Sequence, residues 1–142
     1  MDGFYSQRTS NFRGRYIVGL FRGIECLYVA QFLSGQTNGP CTRESVQRAA
    51  INRVYYAAYG HAFHHEVDNG RFEPTRDRKK RGQDHWRLRN HFAKDLKDND
   101  TATKLEELSM WRKMCDYDKV VMEPMPISKM LEKAEHIISA LR

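Results

Sequence analysis

The sequence predicts an all-α fold, a single up-and-down bundle of about five helices occupying residues 1–142 as one domain. Three observations carry that reading. Apolar residues recur at three- and four-residue spacing in segment after segment, which puts them on one face of a helix. No run carries a β-hairpin signal, and only four prolines interrupt 142 residues. That length also suffices to bury a core without metal or disulfide staples.

In chain order, the first helix is predicted over residues 11–34, where Ile17, Leu20, Phe21, Ile24, Leu27 and Tyr28 form an apolar stripe behind a Ser10 or Asn11 cap. Gly19 and Gly23, four residues apart, suit a close helix contact. Turn residues 34–40 end it. The second helix runs from a Thr42 cap to a stop at Asn69-Gly70, with Val46, Ala50, Val54, Ala58, His61 and Ala62 on one face. A basic loop follows over residues 71–82. Asp84 is the expected cap of a short third helix reaching about Lys97, which Asp98-Asn99-Asp100 ends. Thr103 and Glu106 have capping-box spacing for a fourth helix, in which Leu105, Leu108, Trp111 and Cys115 share a face. Pro124 and Pro126 block continuation. Ile127, Met130, Leu131, Ala134, Ile137, Ile138 and Leu141 then fit a helical template throughout.

Composition narrows the class of protein. Cys26, Cys41 and Cys115 are odd in number and widely spaced, which is neither a disulfide framework nor a zinc knuckle and points to a reducing cytoplasm. Apolar runs such as residues 16–21 are too short for a membrane span, and the start lacks the pattern of a signal peptide. A soluble cytoplasmic protein without a cofactor is expected. The net charge of +6 is local: residues 71–97 hold ten Lys or Arg against four acids, and the remainder balances at 14 against 14. A basic patch of this kind creates a field that attracts phosphates, or else is solvated surface. Arg78, Lys79, Lys80, Arg81, Arg87 and Arg89 are its candidate nucleic-acid contacts, with Arg53 on the second helix.

Three constellations have chemical potential. His61, His64, His65, Glu66 and Asp68 gather at the end of the second helix, but no third metal ligand is placed by their spacing, so no metal is expected and half-buried histidines are the plainer reading. Asp84 through Phe92 combines His85, His91, Trp86 and two arginines on one short helix beside the basic loop, which suits nucleotide contact; Trp86 also suits a core. Arg112-Lys113-Met114-Cys115-Asp116-Tyr117-Asp118 ends a helix on acids that oppose the macrodipole. Arg112 and Asp116, four apart, either pair structurally or leave Arg112 to grip a phosphate. Arg112, Asp116, Tyr117 and His85 are the candidate catalytic residues.

Taken in this order, these motifs resemble the HEPN superfamily of small helical domains, and within it the branch with an Arg-x-x-x-Asp-Tyr-Asp motif. Asn52-Arg53-Val54-Tyr55-Tyr56-Ala57-Ala58 is similar to the family's Ser-Arg-x-Tyr-Tyr-Ala-x helix, His85 through Phe92 to its His-x-x-apolar-x-x-x-Phe segment, and Arg112 through Asp118 to its Arg-x-x-x-Asp-Tyr-Asp helix end. The likeness spans residues 44–141. It implies a helical bundle that forms a homodimer, a toxin–antitoxin or defence role, and a nucleotidyltransferase-like antitoxin as a possible partner. Many relatives are metal-independent ribonucleases with an Arg-x(4–6)-His site. Here Tyr117 stands five residues after Arg112, and a phenol titrating near 10 is a poor base at neutral pH. The first expectation is therefore an RNA- or nucleotide-binding module. The alternatives are a metal-independent ribonuclease with an altered site, and a structural or interaction protein that engages no nucleic acid.

Overall fold

Helix α2 (Arg43–Asp68), 26 residues long, is the element against which the first, fourth and fifth helices pack, while the third packs on the fourth. The computed structural model describes residues 22–36, 39–121 and 124–142. Around α2 stand α1 (Gly23–Ser34), α3 (Gln83–Asn90), α4 (Asn99–Tyr117) and α5 (Ile127–Ala140). A 3-10 turn, Arg78–Lys80, precedes α3, and a π-helical turn, His91–Asp95, prolongs it. The protein is an all-α bundle; among the described residues there are five α-helices, no strand and no helix long and apolar enough to cross a membrane.

The reason α2 is central lies in its small residues. Ala50, Ala57, Ala58 and Ala62 are wholly buried and let neighbouring backbones come close, while Val54 and Tyr55 fill the space between. Leu27 and Ala30 from α1, Leu88 from α3, Leu105 and Leu108 from α4, and Met130, Ala134 and Ile137 from α5 complete one core with Phe92. A smaller cluster of Ile51, Cys115, Val121 and Met125 seals the far end of α4. Gly23 is where α1 comes nearest to α2: a Cβ there would lie 2.6 Å from the Ala57 carbonyl oxygen and 2.6 Å from His61 Cβ. The glycine contact anticipated from the sequence is thus made within the chain. The rest of the predicted first helix, including Gly19 and its cap, lies outside the described residues.

The ends of α2 follow the sequence signals, with Thr42 accepting from the Ser45 N–H and Gly70 in a left-handed turn at φ +69°. Two other expected caps are corrected. Asp84 lies inside the first turn of α3, not before it, because its buried carboxylate is taken by the Thr75 N–H and by Arg87. Helix α4 begins at Asn99, a turn before Thr103, because Asp98 accepts from the Thr101 N–H. At its other end α4 presents Asp116 and Asp118 to carbonyls already electron-rich, and Arg48 from α2 resolves the conflict. Its guanidinium donates to the Cys115, Asp118 and Lys119 carbonyls at 3.0, 2.7 and 3.3 Å.

Candidate functional site

The last turns of α4, the middle of α2 and the start of α3 converge on Arg112. Its guanidinium lies over two consecutive α2 rings, 5.1 Å from the Tyr55 centroid and 5.7 Å from that of Tyr56. Consecutive tyrosines on a helix point in directions about 100° apart, so the pair forms a corner into which one planar cation fits. Cation–π contact of this kind contributes about 0.5–2 kcal/mol per pair. The Arg53 guanidinium also lies over Tyr56, at 5.4 Å.

The cation is held from below by carboxylate and amide. Arg112 Nη1 donates to Asp116 Oδ2 at 3.3 Å, and Asn52 Nδ2 donates to both oxygens of Asp116 at 3.1 Å. Asn52 Oδ1 in turn accepts from Arg53 at 2.6 and 3.1 Å. That chain of contacts orients both arginines, yet it leaves Arg112 far from saturated. A guanidinium has five N–H donors; this one makes a single hydrogen bond to the protein among the described residues, and its Nε is buried without a partner.

His85 completes the cluster from α3. Its ring stacks on Tyr59 with centroids 4.0 Å apart, and its Nδ1 is hydrogen-bonded to the Tyr55 hydroxyl. Burial pushes the Tyr55 phenol up to about 12, so it keeps its proton at neutral pH, and the bond runs in the direction that the His85 tautomer sets. Burial also pushes the His85 imidazole below its ordinary value, and the charges of Arg112, Arg89 and Lys113 act in the same direction against the weaker opposing pull of Asp84. At neutral pH His85 is uncharged. With Nδ1 accepting from Tyr55 it presents an Nε2–H donor, and with Nδ1 donating it presents an Nε2 lone pair.

Of the residues named from the sequence, Arg112, Asp116, Arg53 and His85 come together, with both Tyr55 and Tyr56 beside them. Tyr117 does not join them: it is 77% exposed and makes no hydrogen bond or ring contact among the described residues. The basic segment divides. Arg87 is tied down, donating to Asp84 at 2.5 Å and to the Glu73 carbonyl at 3.0 Å, with its guanidinium 5.0 Å from the Phe72 centroid. Arg78, Lys79, Lys80 and Arg81 are exposed, and among the described residues their side chains have no ion pair or hydrogen bond. Arg89 is half-buried, and its charge acts on His85 and Tyr55.

The histidine cluster at the end of α2 has a different office. His61 Nε2 bonds the Leu141 carbonyl at 2.5 Å and His65 Nε2 that of Arg142 at 3.2 Å, so the two rings fasten the end of the chain to α2. Glu66 is wholly buried. It accepts from Arg71 at 3.0 and 2.6 Å, from His65 at 2.7 Å and from His91 at 2.8 Å. Burial alone would raise the carboxyl, but the bonds from Arg71, His91 and His65 outweigh it and hold it at about 2. Among the described residues no set of His, Cys, Asp and Glu side chains is arranged to hold a metal ion.

Asn52, Tyr59, Arg48 and the Glu66–His91 pair were not found by sequence reasoning. Asn52 lies one position before Arg53 and one turn before Tyr56, and only the approach of Asp116 from α4 gives it a role. Comparison with known proteins gives no match to a family model, to a curated protein or to a solved structure.

Proposed function

We propose that the protein is a HEPN-like RNA- or nucleotide-binding helical module of toxin–antitoxin or defence type, acting in the cytoplasm. The single observation that supports this most is Arg112: a guanidinium fixed on two aromatic faces, with one hydrogen bond made and its other donors uncommitted. A planar cation so held meets a phosphate bidentately at little entropic cost. His85 adds a neutral imidazole beside it, and the four unpaired cations at residues 78–81 supply long-range attraction. The order of the Tyr-Tyr, His-Phe and Asp-Tyr-Asp motifs along the chain supports the HEPN assignment, and with it a homodimer and a nucleotidyltransferase-like antitoxin as partner. Gly23 adds nothing to the case for a dimer, since it is used against α2 of the same chain.

A second reading, a metal-independent ribonuclease with an altered site, draws on the nearness of His85 to Arg112. Cleavage at a 2′-hydroxyl needs a base for its proton and a cation for the phosphorane. Arg112 suits the second task, whereas Nδ1 of His85 is already engaged with Tyr55, and Tyr117 stands exposed and apart from the cluster. Binding is therefore the better reading. Incubating the purified chain with total RNA, with and without chelator, separates the two: intact RNA retained on the protein supports the module, and chelator-resistant cleavage lost in His85→Ala supports the nuclease. Failure of the chain to bind RNA or a nucleotide at low salt rejects both.

A further inference from the structure

Trp86 sits on α3 between His85 and Arg87 and is 59% exposed. Among the described residues it stacks on no ring, has no cation over it and makes no hydrogen bond through its indole N–H. A tryptophan hides more apolar area than any other side chain when it is buried, so leaving one on the surface of so small a core is costly unless something covers it. Two concavities meet at this residue. One, about 300 Å³, is lined by Arg71, Phe72, Arg87 and Lys94 beside it; the other, about 230 Å³, by Arg89, Asn99, Thr103 and one acid, Glu106. Both lie at or below the ~300–1,000 Å³ of sites that enclose a whole small molecule. Each is the size for one base or one phosphate.

We infer that Trp86 is the stacking platform for an unpaired base of single-stranded RNA, and that the strand passes from the 78–81 turn across Trp86 toward Arg89 and Arg112. The inference rests on the RNA reading proposed above and adds to it the form of RNA and the residue that reads it. Charge supports this occupant. Arg87 and Arg89 flank Trp86 on its own helix, and Lys94 makes no ion pair among the described residues. The acids beside the first concavity are already engaged, Glu73 with Arg76 and Asp95 with His91. Arg89 lines the second concavity, and its charge acts on His85 and Tyr55, which joins the indole to the Arg112 cluster. Aromatic platforms alternating with cations bind single strands with little sequence preference, because every base has a π-face and a paired base does not offer it.

The test uses the full chain and a fluorescein-labelled 12-nucleotide oligoadenylate, single-stranded or annealed to oligouridylate, followed by anisotropy at fixed salt. The expected result is that the parent prefers the single strand, that Trp86→Ala weakens single-strand binding about tenfold or more with an unchanged Tm, and that Trp86→Tyr recovers most of the loss. A parent that binds the single strand while Trp86→Ala binds it equally well overturns the inference and leaves the RNA reading standing. A parent that binds neither probe overturns both. Unchanged RNA binding in Trp86→Ala together with a lower sedimentation coefficient also overturns it, and assigns the indole to a protein contact.

Discussion

Glu66 and Arg112 are both charged groups drawn out of water against α2, and they are treated in opposite ways. The Glu66 carboxylate has about four lone-pair sites, and four donor atoms from Arg71, His65 and His91 fill them at 2.6 to 3.0 Å. Arg112 has five donors, of which one reaches Asp116 at 3.3 Å. A saturated buried charge has nothing left to offer a ligand, and removing any one partner exposes the full cost of its burial. An unsaturated one, held by ring faces and a single hydrogen bond, still has donors to offer. The first pattern is what a fold uses to fix itself; the second is what recognition requires.

The contrast can be broken most directly at Glu66. Glu66→Gln turns an amide toward Arg71 and two histidines, and is expected to lower unfolding free energy by about 3–5 kcal/mol in urea titrations; a loss below 1 kcal/mol would place Glu66 among ordinary surface pairs. The same carboxylate sharpens the comparison through pH. Its folded value is depressed from 4.5 to about 2. Its stabilisation is therefore complete above about 4.5 and disappears as pH falls toward 2, about 3 kcal/mol across that window. The gap between parent and Glu66→Gln should close over that range, and a constant gap from pH 5 to pH 2 would contradict it.

At the other cluster the expected effects are on binding. Arg112→Lys keeps the charge but loses the planar fork, and RNA or nucleotide affinity should fall about tenfold while stability falls by no more than about 1 kcal/mol. A large drop in Tm with affinity retained would make Arg112 a staple between α4 and α2. The smallest change in stability belongs to the 78–81 turn. Replacing Arg78, Lys79, Lys80 and Arg81 by alanine should leave unfolding within about 0.5 kcal/mol of the parent, while the salt dependence of RNA affinity flattens as counterion release is lost. Equal binding across a salt titration would reduce that turn to solvated surface.

Much of the fold was legible because periodicity and caps are local properties. Thr42 and Asn69-Gly70 bound α2 as their chemistry dictates, and the seven apolar positions from Ile127 to Leu141 name α5 outright. Asp84 and Thr103 misled because each is a good cap by type, and tertiary partners decided otherwise: Thr75 and Arg87 claimed Asp84, and Asp98 started α4 earlier. The site was half legible. Arg112 and Asp116 are four apart and share a helix face, whereas His85 and Tyr55 are 30 residues apart and no spacing rule joins them. Tyr117 was the wrong neighbour to choose from sequence, since one residue past Asp116 the side chain turns outward. Glu66 looked like one more polar residue in a histidine-rich end; its burial depends on His91, 25 positions away, and on the π-helical turn that begins there.

That separation has a kinetic consequence. Glu66 and Arg71 are five residues apart and meet as soon as the chain reverses after α2, but His91 arrives only when the long connection through the 3-10 turn has closed. Closing such a loop costs entropy before its contacts form. On that argument the carboxylate meets Arg71 and His65 early and His91 late, which makes His91 a latch on the finished bundle. Replacing His91 should leave the refolding arm of the chevron nearly in place and raise the rate of unfolding, whereas replacing Arg71 should move both arms. The lifetime of the native state, more than the speed of reaching it, is then what the His91 imidazole protects.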